Sequence, residues 1–356
     1  YIRHFPTAEE RARKGGNGVY YHVSYWGRPH DYLWLGTAHP SLVYQQMSLA
    51  YERGIQKMWI LNVGDIKPAE YQVELFLDMA WNLEEVKQQG IAAHQRHFLE
   101  REFGKNRADR LQPVMQEAYR LAYIRKPEFM GNTRTEEKDP KFKVISDLPW
   151  SEQEINERLA AYRQLSDKVE QEWHALPAQK KETYFQLVKY PVQAAAQMNN
   201  KLLTAQLARH GKADWADSDR AYDSIVSLTK TYNTTKWNRM MDFQPRRLLV
   251  FNRVERKALS SGLLEKPQAV YTWNGADCVE GASVICEGLG YEGKAVAVEK
   301  KKELTFEFAA WETDSVEVEV RLLPNHPVEG ERLRFTISLD GSATEAVSYE
   351  TKGRSE

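Results

Sequence analysis

Two short stretches concentrate the residues able to do chemistry. His22, Tyr25, Trp26, Arg28, His30 and Asp31 follow the run Gly18-Val19-Tyr20-Tyr21, and Asn62, Asp65, Lys67 and Glu70 follow Lys57-Met58-Trp59-Ile60-Leu61. Each stretch combines carboxylates, cations and aromatics. Cleaving a glycosidic bond requires that mixture: a proton donor, a group that activates water, and flat apolar faces for sugar rings. Each residue also has a plainer reading. Asp31 and Asp65 stand where they could cap following helices, Lys67 could be a solvated loop lysine, and a backbone carbonyl could satisfy His22. Tyr25 and Trp26 could fill a core. Finding both clusters at the ends of successive apolar runs favours a shared site.

The elements that would position them follow from periodicity. Residues 18–26 are β-branched and aromatic between glycine-containing turns, and residues 57–65 are almost continuously apolar, as buried parallel strands are. Helices are expected over residues 40–54, 70–81 and 88–103. Strand-helix-strand-helix with short links implies a parallel sheet whose reactive groups sit at its carboxyl edge. Residues 108–235 read as helical, with a capping signature at Ser151 and Glu154. A long helix over 181–210 is expected to kink at Pro191 and close at Gly211, and residues 134–147 are expected to be an exposed loop. Beyond residue 242 the period becomes two, at 303–308, 316–320 and 333–339, with a turn at Asp340-Gly341, so antiparallel strands of a β-sandwich are expected. The expected organisation is multidomain: the C-terminal part of an α/β barrel over 1–107, an all-α bundle over 108–241, and an all-β sandwich over 242–356.

Composition narrows the partners. The chain has 49 Lys+Arg against 50 Asp+Glu, a formal charge of −1, which gives no basis for a nucleic-acid partner. No apolar run is long enough to span a membrane, and no signal peptide is visible. Ten Trp and 18 Tyr suit a protein that stacks sugars, though cores also use them. Cys278 and Cys286 are expected as free, buried thiols, and neither they nor the nine His show zinc-ligand spacing. Gly15-Gly16-Asn17-Gly18 precedes a strand rather than opening a helix, so it is no phosphate loop. No cofactor is expected. Tyr1 is an unusual start and Glu356 ends within a charged segment, so both ends are read as cut.

The segment from Gly18 to Leu35, containing Tyr20-Tyr21-His22-Val23-Ser24-Tyr25-Trp26-Gly27-Arg28-Pro29-His30-Asp31, resembles a signature of glycoside hydrolase family 115. Asn62-Val63-Gly64-Asp65-Ile66-Lys67-Pro68-Ala69-Glu70 and Phe76-Leu77-Asp78-Met79-Ala80-Trp81 resemble a later motif of that family. Further similarity lies in Arg125-Lys126-Pro127-Glu128, Lys236-Trp237-Asn238-Arg239-Met240-Met241 and Leu323-Pro324-Asn325-His326-Pro327. The resemblance implies a (β/α)8 barrel, a helical bundle and a β-sandwich in that order, with this chain beginning deep in the barrel. It also implies removal of glucuronic acid or its 4-O-methyl ether from xylan by inverting hydrolysis. Glu70 matches the family's glutamate after Lys-Pro and is expected as general acid, with Asp65 next and Asp31 orienting water or a sugar hydroxyl. His22, Tyr25, Trp26, Arg28, Asn62, Lys67 and Tyr119 are expected to bind substrate, Arg28 and Lys67 through its carboxylate. The second carboxylate would come from strands this chain lacks. Glucuronoxylan or uronylated xylooligosaccharides are the implied ligands, a secreted or periplasmic setting fits them, and a homodimer is compatible. Two rival readings are a non-catalytic carbohydrate-binding protein and a barrel hydrolase acting on amino sugars.

Overall fold

The computed structural model describes residues 2, 4–27, 30–64, 66–134, 138–256, 284–287, 294–297, 303–306, 329–339 and 342–352. These residues are mostly helical, with three two-stranded sheets. After a short helix α1 (Ala8–Arg11), strand β1 (Gly18–His22) pairs in parallel with β2 (Met58–Asn62), and Gly18 lies opposite Met58 and His22 opposite Asn62. The crossover between them carries α2 (Pro40–Glu52), which opens at a proline, where the missing N–H costs nothing. Helix α3 (Glu70–Trp81) follows β2.

One face of the strand pair is packed. Tyr21 and Val23 join Val43, Met47 and Ala50 of α2 and Leu75, Phe76 and Met79 of α3 in one apolar cluster, with Val19, Trp59 and Leu61 against it. On the opposite face Tyr20, Met58 and Ile60 are exposed, so the almost continuous apolar run of β2 is covered on one side only among the described residues.

The expected helix over 88–103 is two helices. Gly90, at φ 78°, ends α4 (Leu83–Gln89) and leads into α5 (Ile91–Phe103), a conformation a side-chain-bearing residue resists. Helices α6 (Lys105–Ile124), α7 (Glu152–His174), α8 (Ala178–Tyr184), α9 (Tyr190–Arg209) and α10 (Trp215–Asn233) form the helical body. Ser151 and Glu154 cap α7 reciprocally, as their spacing requires. The expected single helix over 181–210 is interrupted before Pro191, by a wide turn over Phe185–Lys189. There the N–H of Tyr190 reaches back to the carbonyl of Phe185, and Pro191 sits in the first turn of α9, where its absent N–H is tolerated.

The large core of this body is not confined to it. Trp34, Leu35 and Tyr71, together with Phe98, Leu99 and Phe103 of α5, share one cluster with α6 to α10 and with Leu248, Val250 and Phe251. Two buried cations tie its parts. Arg158 of α7 donates to the carbonyls of Leu121 and Arg125, at 3.0 and 2.7 Å, neutralising the C-terminal end of α6, and to Asn199 Oδ1 at 2.7 Å. Lys201 of α9 donates to the carbonyls of Val250 and, at 3.0 Å, Asn252, holding the segment that follows the helices.

Residues 138–144 of the connection before α7 are exposed where their side chains are described. In the C-terminal part β3 (Val284–Glu287) pairs antiparallel with β4 (Lys294–Ala297), and β5 (Glu329–Leu339) with β6 (Ser342–Lys352). Exposure alternates from Glu303 to Phe306 and from Arg334 to Ser338, the period expected of half-covered strands. The expected strand at 316–320, the turn at Asp340-Gly341 and Cys278 lie outside the described residues.

Candidate active site

The carboxyl ends of β1 and β2 are interlocked. The N–H of Val23 donates to the carbonyl of Asn62 at 3.1 Å, and Ser24 Oγ contacts the carbonyl of Val63. Gly64 has φ 61°, and a Cβ there would fall 2.6 Å from Ser24 Oγ and 2.7 Å from Leu33, so only glycine permits this approach. Further along, a Cβ on Gly36 would lie 2.5 Å from the carbonyl of Pro68, and Gln72 Nε2 donates to the carbonyls of Gly36 and Ala38 at 2.8 and 3.2 Å. The loop after Trp26 and the turn leading to Glu70 therefore share one edge of the sheet.

Aromatic rings line that edge. Tyr20 meets His22 edge-on at 4.9 Å, His22 meets Tyr25 at 5.3 Å, and Tyr25 stacks near Tyr32 at 5.9 Å, where the two backbones pair. Asn62 lies beside them: its Nδ2 donates to the Tyr20 hydroxyl, and its Oδ1 accepts from the N–H of Gly64 at 3.0 Å. Trp26 is 66% exposed and carries the guanidinium of Arg246 at 4.0 Å from its ring. Asp31 is buried beneath, accepting from the N–H of Gly27 at 2.6 Å and from Arg246 Nε at 2.9 Å.

Glu70 begins α3 and pairs with Lys67, whose ammonium also lies 4.2 Å from the ring of Trp237. Glu70 and Tyr119 line one cavity of about 50 Å³, bounded by Leu35, Gly36 and Thr37, by Pro68 and Tyr71, and by α5, α6 and α9. That volume admits a water or two. Burial pushes the Tyr119 phenol well above its ordinary range, opposed by Gln72 and reinforced by the charge of Glu70. Its neighbour Tyr71 is raised the same way, and its hydroxyl lies 3.4 Å from His94 Nδ1, whose Nε2 is 3.0 Å from Asp78.

Of the residues singled out in sequence, the structure thus gathers His22, Tyr25 and Asn62 in one aromatic group, Trp26 and Asp31 through Arg246, and Glu70 and Tyr119 around the cavity, with Lys67 paired to Glu70. Arg28 and Asp65 lie outside the described residues. Sequence reasoning missed Arg246, Trp237, Tyr71 and the Lys126–Glu128 turn as parts of this region. Two of these stood in segments already noted for their resemblance, and Tyr71 adjoins Glu70; nothing pointed to Arg246. Among the described residues no three His, Cys, Asp or Glu converge as metal ligands, and no helix is long and apolar enough to cross a membrane.

A parallel strand-helix-strand unit with ionisable and aromatic groups at its carboxyl edge is of the α/β class that binds ligands where its strands end. Residues 1–129 match the model of glycosyl hydrolase family 115. The chain is similar over its whole length to a solved family GH115 4-O-methyl-alpha-glucuronidase, BtGH115A, with specificity for decorated arabinogalactans: 66% identity and a TM-score of 0.92. It spans about half of that structure's length, 47%. No curated protein matches. The family match over residues 1–129 and this likeness together point to glycosyl hydrolase family 115.

Proposed function

We propose that this chain is part of an alpha-glucuronidase that removes glucuronic acid or its 4-O-methyl ether from a polysaccharide by inverting hydrolysis. The observation that carries the reading is the interlocked strand edge. It brings the Lys67–Glu70 pair and an open row of aromatic rings to one side of the molecule in a chain of this family. The exposed face of the strand pair supports completion of a barrel by further strands. Tyr20, Met58 and Ile60, each about half exposed, forgo roughly 1 kcal/mol each while uncovered. A helical bundle and a β-sandwich complete the proposed order.

In this reading Glu70 protonates the leaving oxygen, and a second carboxylate, roughly 6.5–9.5 Å away, activates water from the opposite face. Asp65 is the next candidate for acid–base work. The uronate carboxylate competes with Glu70 for Lys67, with Arg28 as a further cation, so substrate binding frees the acid from its ion pair. Trp26, Tyr25 and His22 take the sugar faces and hydroxyls, Asn62 orients the ring, and Tyr119 acts from the small cavity beside Glu70. Asp31, with both oxygens engaged, serves an orienting role. Glucuronoxylan is the first substrate proposed. The similarity to an enzyme with specificity for decorated arabinogalactans favours, as a second reading, uronic acid carried on those polymers. Either polymer favours a secreted or periplasmic setting.

The test is Glu70→Gln in a protein of the relative's full length, assayed for uronic acid release from glucuronoxylan and from decorated arabinogalactan. Turnover should fall below about a hundredth of wild type, with the anomer first released by wild type showing inversion. Near-normal turnover removes Glu70 from the role. Wild-type binding of uronylated oligosaccharides without hydrolysis identifies a binding protein instead.

A further inference from the structure

The loop over residues 32–37 is held from the helical body by two side chains. Glu128 Oε1 accepts from the N–H groups of Trp34 and Leu35, at 3.2 and 3.4 Å. Lys126 Nζ donates to the carbonyl and the hydroxyl of Thr37, at 3.0 and 3.1 Å, and lies 4.7 Å from the ring of Tyr32. Pro127, between them, opens a tight turn over Pro127–Phe129 that keeps the two side chains in place. The turn is itself anchored, because Arg158 donates to the carbonyl of Arg125. On its far side the loop presses on the site: Leu35, Gly36 and Thr37 wall the Glu70 cavity, and Gly36 packs against the Pro68 carbonyl.

This is an expensive way to hold a loop. Glu128 is fully buried and its Oε2 has no hydrogen-bond partner among the described residues, while burial pushes its carboxyl up and the Lys126 ammonium down to about 8. Apolar side chains of similar volume commonly serve stability as well or better than buried charges. What they cannot do is fix four backbone and hydroxyl groups of one loop at hydrogen-bond distance.

We propose that Lys126 and Glu128 are positioning residues that fix loop 32–37 and thereby set where substrate lies against Glu70. The proposal rests on the glycosidase reading for its catalytic consequence and on the structure alone for the ordering of the loop. The test uses a protein of the relative's full length carrying Glu128→Ala, Lys126→Met or Glu128→Gln, read by hydrogen exchange and by steady-state kinetics. In the first two variants, exchange at residues 34–37 should rise about tenfold while the centres of α7 and α9 keep wild-type protection. The kcat should drop about tenfold or more, with KM changed less. Glu128→Gln keeps an acceptor for Trp34 and Leu35 and should restore most of both. Should Glu128→Ala fail to fold, Lys126→Met and Thr37→Val carry the same comparison. Unchanged loop exchange overturns the proposal, as does a disordered loop with kinetics within twofold of wild type. A wild-type protein without hydrolytic activity removes the glycosidase reading and with it the catalytic half of this one, while the exchange result still decides the other half.

Discussion

Lys201 offers a sharp test of whether the junction beyond the helices is as dry as it looks. It is fully buried on α9 with its ammonium on two carbonyls, and burial lowers it from an ordinary 10.5 to about 7. The folded protein therefore binds this proton more weakly than the unfolded chain. Stability from this group is present above the unfolded value and lost as pH falls through the folded one. Between the two the unfolded state holds more protons, so stability climbs with pH by up to about 1.4 kcal/mol per unit. Half-titration near pH 7 trims the lower end, leaving a rise of about 2 kcal/mol from pH 7 to pH 9. Lys201→Met removes the titration. It also leaves the Val250 and Asn252 carbonyls without that donor, a loss of about 1–3 kcal/mol each if water stays out. Its effect at a single pH therefore mixes two opposed contributions, whereas the change between the two pH values isolates the proton. Lys126 titrates in wild type and variant alike and cancels. Urea unfolding of both proteins, followed by far-UV circular dichroism at the two pH values, should show wild type gaining about 2 kcal/mol more than the variant. Parallel pH profiles would refute the argument and mean that water reaches the ammonium.

Two predictions accompany this one and those attached to the site. Arg246→Ala removes the guanidinium over Trp26 and one partner of buried Asp31, and should weaken binding of uronylated oligosaccharides about tenfold by calorimetry. Unchanged affinity would mean that Trp26 stands without help. Arg158→Met strips donors from Asn199 and from the carbonyls at the end of α6, and should cost about 3 kcal/mol in urea with the slope unchanged. A loss near zero would show that the methionine packs as well as the arginine bonds.

Features set by neighbours in the chain were legible in the sequence. The reciprocal cap at Ser151 and Glu154, Pro40 at the start of α2, and the strand-helix-strand rhythm all follow from spacing of a few residues. Gly90 was passed over because one glycine in a helical pattern often costs only about 1 kcal/mol; here its φ of 78° divides two helices. Pro191 marked the right region and the wrong residue, since the wide turn before it takes up the distortion. In the site, Glu70 and Tyr119 fall on one cavity, and the two strand ends are indeed neighbours. What stayed hidden is long-range. Arg246 reaches Asp31 across 215 positions, and charges flanking a proline, as at Lys126 and Glu128, look like a solvated turn until the fold buries Glu128 and half-buries Lys126.

Trp34 draws these threads together. Its indole N–H donates to the Tyr190 hydroxyl at 3.1 Å, which meets Thr229 Oγ1 at 3.1 Å, and Phe251 stands edge-on to the ring at 4.9 Å. A residue from the loop after the first strand is thus built into the interior of the helices and of the segment beyond them. A recombinant chimera that transplants those helices onto another protein would therefore leave a tryptophan-shaped void at its centre, unless the donor loop travels with them.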